Sequence, residues 1–408
     1  MISNMKTSRK IGLGLLIILI IVGSYLYFRG GEVAQRDGQG ERQNPIFSFE
    51  TGGDGFFGGE GEEDADNEQD EDASTPAPSL WRVSSDPVAG SGWVDRGAAE
   101  EVIWHVRASN GHVYQSSPDA RQPTRLTNTT IPQVREALIA PDGSYIIYRY
   151  LSDNGQIKTF RADLTRSEDG DVPFSIDGKF LLDDISQVVL SPSGEEIFYL
   201  QPTRSGVVGV IYDSKTAGSE VVFTSEIRQW RVSWNTPEAI TLFTAPAEEA
   251  TGFSYTLDPA TGRLEKLAEG KGLTTFQSPD ERFLLKSSYQ NGGEYRAQVS
   301  KLTDPRTNLM SPRTLAQKCS WAEGTTAFFC GVPKRFPDNP LKDWYQGRFQ
   351  YDDTLILFNP QSRDQSALFS EEELEEGPFD ITHISVDETF HYLLFTNKSS
   401  GHLWGFVL

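Results

Sequence analysis

The sequence predicts an all-β protein: a single β-propeller of seven blades, each with four antiparallel strands, preceded by one transmembrane helix and a disordered acidic spacer. Three observations predict it. A β-rich run, a tight turn and a second β-rich run recur from about residue 80 to the end. An uncharged apolar run, Ile11 to Phe28, lies near the start. A Gly-rich acidic stretch separates the two. The organisation read from them is a basic tail (1–10), a membrane span (11–28), a linker (29–79) and the propeller (80–408).

The recurring unit is clearest at Ala137-Leu138-Ile139-Ala140-Pro141-Asp142-Gly143-Ser144-Tyr145-Ile146-Ile147-Tyr148. It returns at Val188-Val189-Leu190-Ser191-Pro192-Ser193-Gly194-Glu195-Glu196-Ile197-Phe198-Tyr199. Weaker copies centre on Ser278-Pro279-Asp280 and Val386-Asp387-Glu388, and two degenerate ones carry Trp234 and Trp321. Pro and Asp favour the turn, and Gly accepts the positive φ it needs. The flanking Val, Ile, Phe and Tyr suit a pleated, buried surface. A second turn in several copies, such as Asp258-Pro259-Ala260-Thr261-Gly262, gives four short strands per unit. A repeat of roughly 40–45 residues selects a propeller over a sandwich. No stretch after residue 30 has convincing helical periodicity. Seven units fit, near 88–128, 131–182, 184–224, 227–268, 271–315, 316–370 and 378–408. The last is short, and Leu80-Trp81-Arg82-Val83-Ser84 can supply its missing outer strand, so that no sheet edge in the ring is left open.

Ile11–Phe28 is long enough to cross about 27 Å of a roughly 30 Å hydrocarbon core. Lys6, Arg9 and Lys10 precede it and only Arg29 follows directly, which puts the N-terminus in the cytoplasm and the rest outside. A cleaved signal peptide shares the charged start and apolar middle, but no clean A-x-A-like site follows. Residues 44–79 carry eleven acids and no base, and should be disordered. Phe47, Phe49, Phe56 and Phe57 within the spacer are either a docking motif or incidental linker aromatics.

The whole chain has a net charge of -21, and residues 80–408 hold 44 acids against 31 bases. That balance disfavours nucleic acid as a partner. Five histidines occur, at 105, 112, 383, 391 and 402, none at a metal-ligand spacing, so no metal and no cofactor is expected. Neither a nucleophile elbow nor a phosphate loop is present. Asp183-Asp184, Asp352-Asp353 and Glu371–Glu376 are the carboxylate candidates. Adjacent residues of a strand face opposite ways, so Asp352 and Asp353 cannot share one site while extended.

One segment departs from the repeat. Blade six is lengthened by residues 333–347, rich in aromatic and basic types found at interface hot spots. Phe336, Trp344, Tyr345 and Arg348 are the candidate binding residues, with packing over their own blade as the competing explanation. On the recognition reading, truncating Trp344 should leave stability within about 1 kcal/mol. Cys319 and Cys330 flank a hairpin centred on Gly324-Thr325 and so lie directly opposite each other, as a disulfide requires. Two buried thiols are the alternative.

The repeats resemble the SPDG-type units of TolB-like, WD-type propellers, although the Trp-Asp dipeptide of true WD repeats is missing. An anchor, an acidic spacer and a propeller carrying Cys319-Ser320-Trp321 and Trp344-Tyr345-Gln346-Gly347 look like membrane-anchored propellers of the bacterial envelope. The resemblance implies location and architecture, and no activity. The expected function is a membrane-tethered, extracytoplasmic recognition or scaffolding module for a protein, peptide or glycan. A hydrolase or lyase with carboxylates in the central funnel, and a purely structural envelope protein, are the alternatives.

Overall fold

The structure is a computed structural model that describes residues 79–408, apart from 96, 98–100, 119–121, 168–170, 291–292, 323, 337–340 and 370–376. The expected membrane span, the acidic spacer with its four phenylalanines, and the Glu371–Glu376 run lie outside the described residues. Among the described residues no helix is long and apolar enough to cross a membrane.

Seven antiparallel sheets form seven blades. Blade one runs Val88–Val94, Val102–Arg107, Val113–Ser116 and Thr124–Arg125. Blade two runs Val134–Ile139, Tyr145–Leu151, Ile157–Arg166 and Phe174–Phe180, and blade three runs Gln187–Leu190, Glu196–Pro202, Val207–Asp213 and Ser219–Ser225. Blade four holds Trp230–Thr236, Ala239–Thr244, Thr251–Leu257 and Leu264–Lys271. Blade six holds Cys319–Trp321, Phe328–Pro333, Asp353–Asn359 and Asp364–Ala367. Blade seven holds Ile381–Val386, Tyr392–Asn397 and Leu403–Val407, and its fourth strand is Leu80–Arg82 from the other end of the domain. Leu80 pairs with Phe406 and Arg82 with Trp404. The indole of Trp81 lies flat against Gly405, where an added Cβ would come within 2.3 Å of the ring. That close approach is what the glycine permits.

Blade five departs from the four-strand expectation. Among the described residues its sheet has three strands, Thr274–Gln277, Phe283–Tyr289 and Tyr295–Lys301. Where the fourth strand belongs, two isolated bridges join Val299 to Met310 and Lys301 to Asp304, with Val299 N–H donating to Met310 O at 2.9 Å. Pro312, two residues beyond Met310, has no backbone donor for the next pairing opposite Ala297, so the ladder does not extend that way.

The turns form as their residues dictate. Gly143 and Gly194 take φ of 64° and 71° and donate back to Ala140 O and Ser191 O. Asp142 accepts from Ser144 N–H at 2.9 Å, a local bond that fixes the turn. Several blade contacts are apolar, with tyrosines tying neighbours together: the Tyr145 hydroxyl donates to Gly194 O at 2.7 Å across blades two and three. Among the described residues, two short helical turns interrupt the otherwise helix-free domain. A 3-10 turn, Ala316–Lys318, leads into blade six, and a one-turn helix, α1, spans Lys342–Tyr345.

Cys319 and Cys330 face each other in the hairpin register and form a disulfide, with Cα atoms 4.1 Å apart. The turn between them has Gly324 at φ 72°.

Strand direction fixes which loops share an end. Each first strand begins, each second strand stops and each third strand starts at the same end of the domain. That end therefore carries the entries to the first strands and every connection between second and third strands. The blade-six insertion, residues 334–352, is one of these connections.

Candidate functional site

The insertion folds back onto this entry end. Leu341, Trp344 and Tyr351 are buried with Tyr295 and Leu315, and Phe336 and Phe349 pack against them. The Phe336 ring stacks on Tyr295 at 6.0 Å and leans on Tyr351 at 5.8 Å. Blade five thus forms part of the seat for a segment that belongs to blade six.

Beneath this aromatic layer lies a sealed group of charges. Lys318 closes the 3-10 turn before the first strand of blade six, Asp353 opens the third strand of that blade, and Asp380 precedes the first strand of blade seven. All three side chains are wholly buried. Lys318 Nζ lies 2.6 Å from Asp353 Oδ2 and 2.5 Å from Asp380 Oδ1. Trp344 Nε1–H donates to both Asp380 oxygens, at 3.1 and 2.9 Å. Tyr351 N–H also reaches Asp380 Oδ2, at 3.3 Å. Lys398 closes the group from blade seven, its Nζ donating to Trp344 O at 2.7 Å and sitting 4.2 Å from the indole centroid.

The two carboxylates are not equivalent. Asp380 accepts from Lys318, Trp344 and Tyr351. Asp353 Oδ2 accepts from Lys318 and from Ile381 N–H at 2.7 Å, whereas its Oδ1 is buried without a partner. Both Asp380 oxygens are thus hydrogen-bonded, whereas one Asp353 oxygen is not. Burial pushes the Asp353 carboxyl up to about 6, against the opposing pull of Lys318, and the bare Oδ1 is where its proton fits.

On its outer side the insertion borders an open cleft of about 450 Å³. One wall is α1 and the residue after it, presenting Lys342, Tyr345 and Gln346; the other is blade four, presenting Arg231, Glu248 and Glu249. Tyr345 is 38% exposed, its ring facing out while its hydroxyl accepts from Gln317 Nε2–H.

The four candidate binding residues therefore separate. Phe336 and Trp344 point inward and are packing residues, Trp344 being only 4% exposed. Tyr345 and Arg348 point outward, and Arg348 pairs with Asp343 at 2.7 Å. The expectation that Trp344 is a contact residue whose loss spares stability is corrected by its burial over Lys318 and Asp380. The carboxylate candidates do not meet either. Asp183 pairs with Lys158, and Asp184 caps Ile157 N–H. Asp352 pairs at the surface with Lys334, while its neighbour Asp353 is buried. Of the histidines, His105 is buried and stacked on Tyr114, and burial beside Arg107 lowers it to about 4. Among the described residues no three His, Cys, Asp or Glu side chains gather as a metal site requires.

Sequence reasoning missed Lys318, Asp380, Arg231 and Glu248. The one available signal was a lysine set among Leu315, Ala316 and Cys319 at the start of a buried first strand, where an unpaired charge is not tolerated.

Two predictions follow from the buried group. Trp344→Ala should destabilise the domain by roughly 3–5 kcal/mol, as for other buried aromatics, read from urea denaturation. A loss under about 1 kcal/mol would mean that the insertion is not seated on this group. The second concerns pH. A carboxyl held near 6 in the folded protein, above its ordinary value near 4, binds its proton more tightly when folded. Its contribution to stability is therefore full below about pH 4 and is lost as pH rises through about 6, by on the order of 3 kcal/mol. Asp353→Asn removes that dependence, so the stability of wild type relative to the variant should be greater at pH 4.5 than at pH 7. A difference that grows with pH contradicts the assignment of the proton to Asp353.

No protein-family model matches the chain. No curated protein matches it. Solved structures do. An oligogalacturonate lyase in complex with manganese is similar at 12% identity, over 81% of this chain and 93% of that one, with a TM-score of 0.53. The oligogalacturonate lyase of Vibrio parahaemolyticus is similar at 13% identity, over 80% and 93%, also at 0.53. TolB from Acinetobacter baumannii is similar at 12% identity, over 65% and 63%, at 0.43. At such identities the likeness is one of fold alone, and the fold is the β-propeller.

Proposed function

We propose that the chain is a membrane-tethered recognition module, displayed outside the cytoplasm, that engages a protein, peptide or glycan at the entry end of its propeller. The observation that carries this reading is the seating of the blade-six insertion. A connection of this length between two strands would ordinarily be a mobile surface loop. Here it is fastened from beneath by Trp344 and Tyr351 on Asp380, and it holds Tyr345 outward beside a cleft. A rigid aromatic beside charged groups is the composition of a binding hot spot, because little side-chain freedom remains to be lost on binding. The tether rests on the charge asymmetry around Ile11–Phe28.

The test is site-specific photo-crosslinking of the full-length chain in cells. A diazirine side chain replaces Tyr345 at the entry end, or Ser193 in a first hairpin turn at the opposite end. The reading expects an adduct from position 345 at least several-fold stronger than from position 193. Equal labelling from both positions, or an adduct from 193 alone, contradicts it.

A further inference from the structure

We infer that the cleft between α1 and blade four binds a neutral, polyhydroxylated ligand, a segment of an uncharged glycan chain. This rests on the recognition reading above and names the ligand for that site.

The charges of the cleft balance. Arg231 and Lys342 bring two positive groups, and Glu248 and Glu249 bring two negative ones. An anionic ligand would meet both glutamates as well as a domain with 44 acids against 31 bases. A cationic one would meet Arg231 and Lys342. What suits donors and acceptors alternating around one cleft is a ligand whose groups both donate and accept at a single atom. The hydroxyl is that group.

The polar groups around the cleft are also incompletely used. Of the lining residues, Glu248 has its Oε1 buried without a hydrogen bond of good geometry; the Tyr289 hydroxyl and Gln317 Oε1 are in the same condition but lie outside the lining. The Glu248 carboxylate lies near enough to Tyr289 to help burial hold that phenol above its ordinary range. Gln317 spends its amide N–H on the Tyr345 hydroxyl, which leaves its carbonyl oxygen as an acceptor. Within the lining itself, Glu248 and Glu249 are the acceptors that a ligand's O–H donors would meet, and Arg231 and Lys342 the donors for its oxygens.

Tyr345 supplies the remaining requirement. Its ring is exposed while its hydroxyl is anchored, so it offers a fixed apolar face beside the polar groups. A pyranose has such a face, built of C–H groups, with hydroxyls at its rim. The cleft volume of about 450 Å³ lies within the range of small-ligand sites, and its open form lets a chain continue past on both sides.

The test is saturation-transfer NMR on the full-length chain in lipid nanodiscs. The probes are the neutral tetrasaccharides of glucose, mannose and N-acetylglucosamine, with tetragalacturonate as the acidic comparison. At least one neutral probe should bind. Tyr345→Ala should weaken it at least tenfold, Tyr345→Phe by less than threefold, and Glu248→Gln by several-fold. Circular dichroism of each variant checks that the propeller is intact. Failure of all three neutral probes, equal binding to Tyr345→Ala, or preferential binding of tetragalacturonate overturns the inference. A polypeptide captured from position 345 in cells, with no saccharide bound, leaves the recognition reading standing and this inference refuted. Labelling from position 193 alone refutes the recognition reading itself.

Discussion

The contact of Lys318 with Asp353 and Asp380 is the constraint on which the entry end of the molecule depends. Those residues come from the start of blade six, the third strand of blade six and the start of blade seven. No side chain of the three touches solvent. Removing charges from water costs several kcal/mol for each ion, so the group persists only because its members satisfy one another. Truncating Lys318 would leave both carboxylates buried without their ion-pair partner. The arrangement therefore fixes where two blades and one insertion meet, more than it adds net stability.

The aromatic layer follows from that constraint. Asp380 has more lone pairs than Lys318 can fill, and the Trp344 indole and Tyr351 amide fill them. Once Trp344 is drawn down, Tyr345 beside it in α1 is turned outward. The inward and outward faces of the insertion are thus two consequences of one ion group. At the other side of the same junction, Leu80–Arg82 closes the ring on Leu403–Val407, so blade seven is held both by the chain's own end and by Asp380 and Lys398. The disulfide between Cys319 and Cys330 pins the hairpin that begins directly after Lys318.

Much of the fold was legible because it is written in repeating local chemistry. The turns at Gly143 and Gly194, and the branched and aromatic runs beside them, state the hairpin directly. The cysteine pair was legible too, because opposition across a hairpin is a matter of counting from Gly324-Thr325. Blade five was not, since its lost strand depends on where Pro312 falls relative to the bridge between Val299 and Met310. The site was the least legible part. Trp344 and Tyr345 are neighbours of similar character, and nothing local says which faces in. That is decided by Asp380, 36 residues away in sequence, and by Lys318, which lies 62 residues from Asp380. The orientation of the insertion is a tertiary property, carried by residues that look unremarkable along the chain.

The central claim is that the insertion is a seated, rigid wall and not a surface loop. Native-state hydrogen exchange at the backbone amides of Tyr345, Arg348 and Tyr351 measures this directly. These amides donate to Leu341 O, Asp343 O and Asp380 Oδ2 respectively. Tyr351 should exchange only through openings whose free energy approaches that of global unfolding, and Tyr345 and Arg348 should be protected well above loop amides. Exchange of all three at the rate of an unstructured segment would contradict it.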